Sequence, residues 1–105
     1  MKTIGNLMVD DTDLPNRYNF YEAQEQVELL NSDNHKGFSD WRVPTQKELN
    51  ILYKNKNKIG GFSSSYYWSS SEYDAYLAWI QYFSNGYQFY YYKSNYNYVR
   101  CVRSI

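Results

Sequence analysis

Ala78-Trp79-Ile80-Gln81-Tyr82-Phe83-Ser84-Asn85-Gly86-Tyr87-Gln88-Phe89-Tyr90-Tyr91-Tyr92 reads as a strand, a turn and a returning strand. Strand side chains alternate, so Trp79, Gln81 and Phe83 are expected on one face and Ala78, Ile80 and Tyr82 on the other. Ser84-Asn85-Gly86 supplies the glycine-containing turn of a hairpin, and Tyr87 to Tyr92 is the return strand. Lys93 to Asn97 is then a polar turn. Tyr98 to Arg103 makes a last strand around Tyr98, Val99 and Val102, which favour extended backbone. From Tyr66 onward the chain is therefore expected to be antiparallel sheet.

Upstream of that region the period changes from two to between three and four. Phe20, Ala23, Val27 and Leu30 lie on one face of a helix spanning Asn19 to Asn31, with Glu22, Glu25 and Glu28 solvated on the other. Asn31 to Trp41 is polar and aperiodic and reads as a surface connection, with His35 expected in solvent. A second helix begins at Thr45, whose hydroxyl and the Glu48 carboxylate have the spacing of a capping box. Leu49, Leu52 and Tyr53 form its buried stripe. Lys54, Lys56 and Lys58 sit where the helix dipole favours cations, and Gly60-Gly61 ends the pattern.

The 105 residues suit one domain, in which residues 1–65 are scaffold and residues 66–105 form a tyrosine-rich region. Eleven basic residues balance eleven acidic ones, so no long-range field draws the chain to nucleic acid. Met1 to Asp13 has neither the basic start and apolar run of a signal peptide nor a stretch able to insert in a bilayer. With Cys101 as the single cysteine there is no intrachain disulfide. No Ser-His-Asp set, phosphate-binding glycine loop or zinc spacing appears, so an enzyme is not expected. Asp10, Asp11 and Asp13 lack the pattern of a calcium loop and are expected to be solvated. Neither a metal nor a cofactor is expected.

Eleven of the 14 tyrosines fall between Tyr66 and Tyr98. A buried phenol without a hydrogen-bond partner costs roughly 1–3 kcal/mol, so so many cannot all be core. On a surface, tyrosine offers a large ring and a polar tip with only two torsions to freeze, and here Ser, Asn, Asp and Gly interleave with it. Three consecutive strand residues, Tyr90 to Tyr92, cannot all face one core. High strand propensity alone is the competing account. An aromatic binding surface is the expected role.

Asp40-Trp41-Arg42-Val43-Pro44-Thr45 with Glu48-Leu49, then Tyr67-Trp68-Ser69-Ser70-Ser71-Glu72, Phe83, Gly86 and Tyr98-Val99-Arg100-Cys101-Val102-Arg103 resemble a bacterial C-type-lectin-like group. That group includes the C-terminal domain of collagen-like adhesins called Lcl and the Fibrobacter major paralogous domain. The resemblance implies an α+β, C-type-lectin-like fold with two helices packed on a small twisted antiparallel sheet. Formylglycine-generating enzymes share the wider fold but depend on a cysteine pair, which a chain with only Cys101 lacks.

Within that group the last third resembles the variable region of proteins diversified by retroelements. There, adenine-directed mutagenesis turns asparagine codons into codons for residues such as Tyr, Phe, Ser, Asp, Asn, Leu, Ile and His, but never Trp, Gln, Glu, Lys or Met. By that rule Trp68, Glu72, Trp79, Gln81, Gln88 and Lys93 are scaffold. The implied ligand-binding residues are Tyr73, Asp74, Tyr76, Leu77, Ile80, Tyr82, Tyr87, Phe89, Tyr90, Tyr91, Tyr92, Ser94, Asn95, Tyr96 and Asn97. The implied function is a retroelement-diversified ligand-binding domain, on a phage virion or a microbial cell surface, whose partner is a protein or glycan on a cell. A fixed-specificity adhesin module binding glycans or glycosaminoglycans is the alternative, and tyrosine-mediated subunit packing is a third. On this reading Trp41, Trp68 and Trp79 are largely buried. Serine at Ile80, Tyr82, Tyr90, Tyr91, Tyr92 and Tyr96 together abolishes binding while sparing the fold.

Overall fold

Both helix starts are fixed by local hydrogen bonding in the computed structural model, which describes residues 1–105. Helix α1 spans Phe20–Ser32 behind Asn19, which accepts from the Glu22 amide while the Glu22 carboxylate accepts from the Asn19 amide. Helix α2 spans Gln46–Lys54 behind the expected Thr45–Glu48 box, closed by bonds of 3.2 Å and 2.9 Å. A third short helix, α3, runs Lys56–Ile59 and stops at Gly60-Gly61, both at positive φ.

The strands are β1 (Lys2–Ile4), β2 (Leu7–Val9), β3 (Tyr66–Glu72), β4 (Leu77–Tyr82), β5 (Gln88–Tyr92) and β6 (Val102–Ser104). They form two three-stranded antiparallel sheets, ordered β1-β2-β6 and β3-β4-β5. The molecule is thus α+β in an arrangement consistent with a C-type-lectin-like fold. The sequence reading gave no strand to residues 1–13, because these two strands of three residues each are too short for a period-two signal. The expected last strand is divided. Tyr98 bonds with β3 through its amide to Tyr66 and its carbonyl to Trp68, whereas Val102 bonds with β2 and Arg42, so this segment ties the two sheets together.

The hairpin forms at the expected place, with β4 central between β3 and β5. Gly86 is required there: its φ is +84°, and an added Cβ would lie 2.5 Å from the Tyr53 ring. Alternation places Trp68, Ala78 and Ile80 with Phe20, Ala23 and Val27 of α1 in one hydrophobic cluster. Tyr67 and Phe83 join Leu49 and Leu52 of α2 in a second. Both faces of β4 are therefore covered over part of its length. Cys101 lies in the first cluster, where burial pushes its thiol up to about 12, so it carries no accessible thiolate at neutral pH.

Trp41 and Trp68 are buried as expected, and each indole N–H donates to a carbonyl, of His35 and Tyr18 respectively. Trp79, on the central strand, is half-buried, with the rings of Tyr73 and Tyr90 against it. Of the acidic N-terminal residues, Asp11 is exposed as expected, whereas Asp10 and Asp13 depart from the solvated expectation. Asp10 is buried and lies 2.9 Å from Nε2 of a half-buried His35. Asp11 bonds Lys36 and the chain's amino terminus, and the Lys36 bond foremost lowers its pKa to about 2. Asp13 faces Arg100 and Tyr67. Each carboxylate is thus committed to a different partner. Sequence spacing alone does not reveal this, because the side-chain partners lie 25 to 87 residues away.

Candidate functional site

The tyrosine region displays most of its rings. Tyr73, Tyr76, Tyr87, Tyr90, Tyr91, Tyr92 and Tyr96 are exposed, whereas Tyr66, Tyr82 and Tyr98 are half-buried and Tyr67 is buried. Asp74 and Ser94 are exposed as well, and Leu77, Phe89 and Asn95 are half-buried. Thirteen of the 15 expected binding residues thus reach the surface wholly or in part.

The two exceptions are Ile80 and Asn97. Ile80 is 0% exposed, and Asn97 is 3% exposed with its backbone paired to Tyr18. The expectation that Ile80 is displayed with Tyr82 is therefore corrected. Alternation gives which residues share a face of β4, but it does not say whether the far side of that face is solvent or, as here, α1. The codon rule admits isoleucine without regard to burial. Serine at Ile80 would open the core, so the six-residue serine variant is not expected to stay folded.

Cross-strand register explains how the exposed rings are held. Trp79 pairs with Tyr90, Ile80 with Phe89, and Ala78 with Tyr91. On one face Tyr73 and Tyr90 stack with centroids 4.1 Å apart and planes 17° from parallel, and both meet the Trp79 ring edge-on. On the other, Tyr66 stacks on Tyr82 at 4.6 Å and contacts Phe89 and Tyr91. Offset stacked and edge-to-face rings attract each other, which pre-orients the side chains and reduces the entropy lost on binding.

Residues outside the expected binding set support this surface. Gln81 is fully buried and donates to Asn50 and to the Gly86 carbonyl, holding the hairpin turn against α2. Gln88 donates to the Gln46 carbonyl, joining β5 to the start of α2. Ser69 and Ser71 form the irregular part of β3: the Ser69 hydroxyl donates to the Trp79 carbonyl, and the Ser71 hydroxyl accepts from the Gln46 amide. Lys93 is almost wholly buried; its amine donates to the Ala75 carbonyl and its amide to the Tyr76 carbonyl, fixing the turn that carries Tyr73 and Tyr76. In that turn Asp74 Oδ1 accepts from the amides of Tyr76 and Leu77. Tyr21, 57% exposed at the start of α1 and 5.9 Å from the Lys93 amine, borders the same end of the molecule. Composition did not single it out, because it lies outside the tyrosine-rich stretch.

A cleft of about 290 Å³ lies elsewhere, lined by residues including Lys56, Asn57, Gly61, Phe62 and Ser63, and contains none of the expected binding residues. The tyrosine region therefore presents a face rather than a pocket. Arg42 and Glu48 form a two-bond pair that lowers the Glu48 pKa and raises that of Arg42. This pair braces α2 and faces no cleft. No helix is long and apolar enough to cross a membrane.

Residues 6–103 match the family model described as the Lcl C-terminal domain. No curated protein matches the chain.

Proposed function

We propose that this chain, which belongs to the Lcl C-terminal domain family, is a ligand-binding display domain that engages a macromolecule on a cell surface through its tyrosine face. Family membership supports the coarser statement of a ligand-binding or adhesin-like domain. The observation that carries the finer one is the exposure of seven tyrosines between Tyr66 and Tyr98, on a hairpin held by buried fixed residues. Aromatic anchors of this kind carry much of the energy of protein interfaces.

Diversification by a retroelement is supported by the division between the two sets of residues. Of the residues that the codon rule excludes from change, Trp68, Gln81 and Lys93 are buried, Trp79 and Gln88 half-buried and Glu72 exposed; of the 15 it admits, all but Ile80 and Asn97 are exposed or half-buried. The DNA beside the coding region should hold a near-copy of its 3′ end that differs at adenines, next to a reverse-transcriptase gene. A genome without such a repeat returns the lead to a fixed-specificity adhesin that binds glycans.

Serine at Tyr76, Tyr87, Tyr92 and Tyr96 should weaken binding at least ten-fold, since about 1.4 kcal/mol of lost contact is enough. Each exposed substitution should change stability by no more than about 0.5 kcal/mol. Wild type and variant would be compared on an array of neutral and sulfated glycans and an array of purified cell-surface proteins, with urea melts alongside. Undiminished binding by a folded variant would sink the tyrosine-face reading. Concentration-dependent dimers lost in the same variant would point instead to subunit packing.

A further inference from the structure

We propose that the outer edge of β5 takes an extended segment of a protein partner, which adds to the sheet as a further strand and packs its side chains against Tyr90, Tyr91 and Tyr92. This rests on the display-surface reading above and adds the way in which the ligand is held.

The first support is the backbone of β5. The Tyr82 amide donates to the Tyr87 carbonyl and the Lys93 amide to the Tyr76 carbonyl, which fixes the residues that bond across the β4–β5 pair. In that register Phe89 and Tyr91 turn their amides and carbonyls to β4, whereas Gln88, Tyr90 and Tyr92 turn theirs away from it. No strand lies on that side. Among the outward groups the Tyr92 carbonyl accepts from the Asn95 amide, while the amides and carbonyls of Gln88 and Tyr90 meet no partner. They recur about every 7 Å, the two-residue repeat of an extended chain. A second extended backbone offers donors and acceptors at the same repeat and is the complement of that pattern.

The second support is that the other sheet edges are covered or guarded. Along the outer side of β3, Tyr66 and Trp68 bond Tyr98, and the Ser70 amide donates to the Pro44 carbonyl. Val102 of β6 exchanges both bonds with Arg42. Strand β1 has three residues and begins with Lys2. Strand β5 has five, from Gln88 to Tyr92, without the charge, proline or bulge by which edge strands avoid pairing. Its rings border the open edge on both sides. Tyr90 and Tyr92, 45% and 62% exposed, lie on the Trp79 face, and Tyr91, 38% exposed, on the other. Aromatic and β-branched residues placed opposite such rings on a neighbouring strand attract them. A second copy of the chain is a poorer complement. Twofold pairing of β5 with itself about Tyr90 aims the Gln88 amide of each copy at the Tyr92 carbonyl of the other, which already accepts from Asn95.

The test selects a random-peptide display library on the whole domain and measures one enriched peptide for affinity with each of its amides N-methylated in turn. Methylation at every second residue of the bound stretch should weaken binding about ten-fold or more, and methylation between them should have little effect, because alternate amides of an added strand point at β5. Exchange of the Gln88 and Tyr90 amide hydrogens should be fast in the free domain and at least about ten-fold slower with the peptide bound. Equal losses at consecutive amides, unchanged exchange at those two residues, or a library without enriched peptides overturns the proposal. So does slow exchange at both in a free domain that sediments as a dimer, which gives the edge to a second copy. If peptide or glycan binding without the alternation is lost in Tyr90→Ser with Tyr92→Ser, the display-surface reading stands without the added strand. If that binding survives the variant, both fall.

Discussion

Ile80→Ser should unfold most of the protein under conditions in which Tyr92→Ser leaves it intact. The Ile80 side chain is completely buried on the central strand of its sheet, in one cluster with Trp68, Ala78, Phe20 and Val27. Truncating a buried isoleucine costs about 2–5 kcal/mol, because the cavity closes only partly. The serine hydroxyl adds about 1–3 kcal/mol if it finds no partner there. Domains of this kind have a total stability of roughly 5–15 kcal/mol, so one substitution removes much of the margin. Ile80→Val should cost only about 0.5–1.5 kcal/mol. Urea titrations of the three variants provide the measurement. An Ile80→Ser protein within about 1 kcal/mol of wild type would place this side chain in solvent and return it to the displayed set.

Arg100→Ala should be destabilising on the same scale, through charge rather than volume. Arg100 is fully buried in the segment that joins the two sheets, with Nε donating to Asp13 Oδ1 at 2.9 Å and Nη1 to the carbonyls of Asp10 and Gly60. Asp13 also accepts from the Tyr67 hydroxyl at 2.5 Å, and that hydroxyl accepts from the Ser63 amide. One guanidinium thus joins the N-terminal segment, the loop after α3 and strand β3. Burial raises the pKa of both Asp13 and Tyr67, and the Asp13 carboxylate raises that of Tyr67 further. Removing the arginine leaves a carboxylate in a site that already disfavours its charge, at a cost of about 3–5 kcal/mol. Arg100→Met with Asp13→Asn should recover part of the loss, because no uncompensated charge remains. A double variant no more stable than Arg100→Met alone in urea melts would show that the arginine acts by packing on Phe62 instead.

The parts of the molecule that were legible beforehand are those encoded by neighbours in sequence. The Thr45–Glu48 capping box, the face of α1, the glycine turn at Gly86 and the alternation in β4 all depend on residues within a few positions of each other. The excess of tyrosine was legible as a surface because rings with hydroxyls are costly to bury in number. Of those eleven, Tyr67 is the one buried, and its hydroxyl is satisfied by Asp13 and Ser63. The roles of Asp10, Asp13, His35 and Arg100 were not legible, since each is fixed by a partner distant along the chain.

By itself, then, the sequence determined the helices, the hairpin and the concentration of aromatic side chains that supplies the candidate surface. Tertiary structure alone decided which face of the hairpin is outside. Placing α1 against Ala78 and Ile80 buried part of that face, while Tyr66, Tyr82 and Phe89 on it stay half-buried and Tyr91 exposed. It also decided that Trp79 backs an exposed tyrosine pair instead of filling the core. Period-two alternation sorts side chains into two sets, but burial depends on what packs against each set, and that is a contact between segments far apart in the chain.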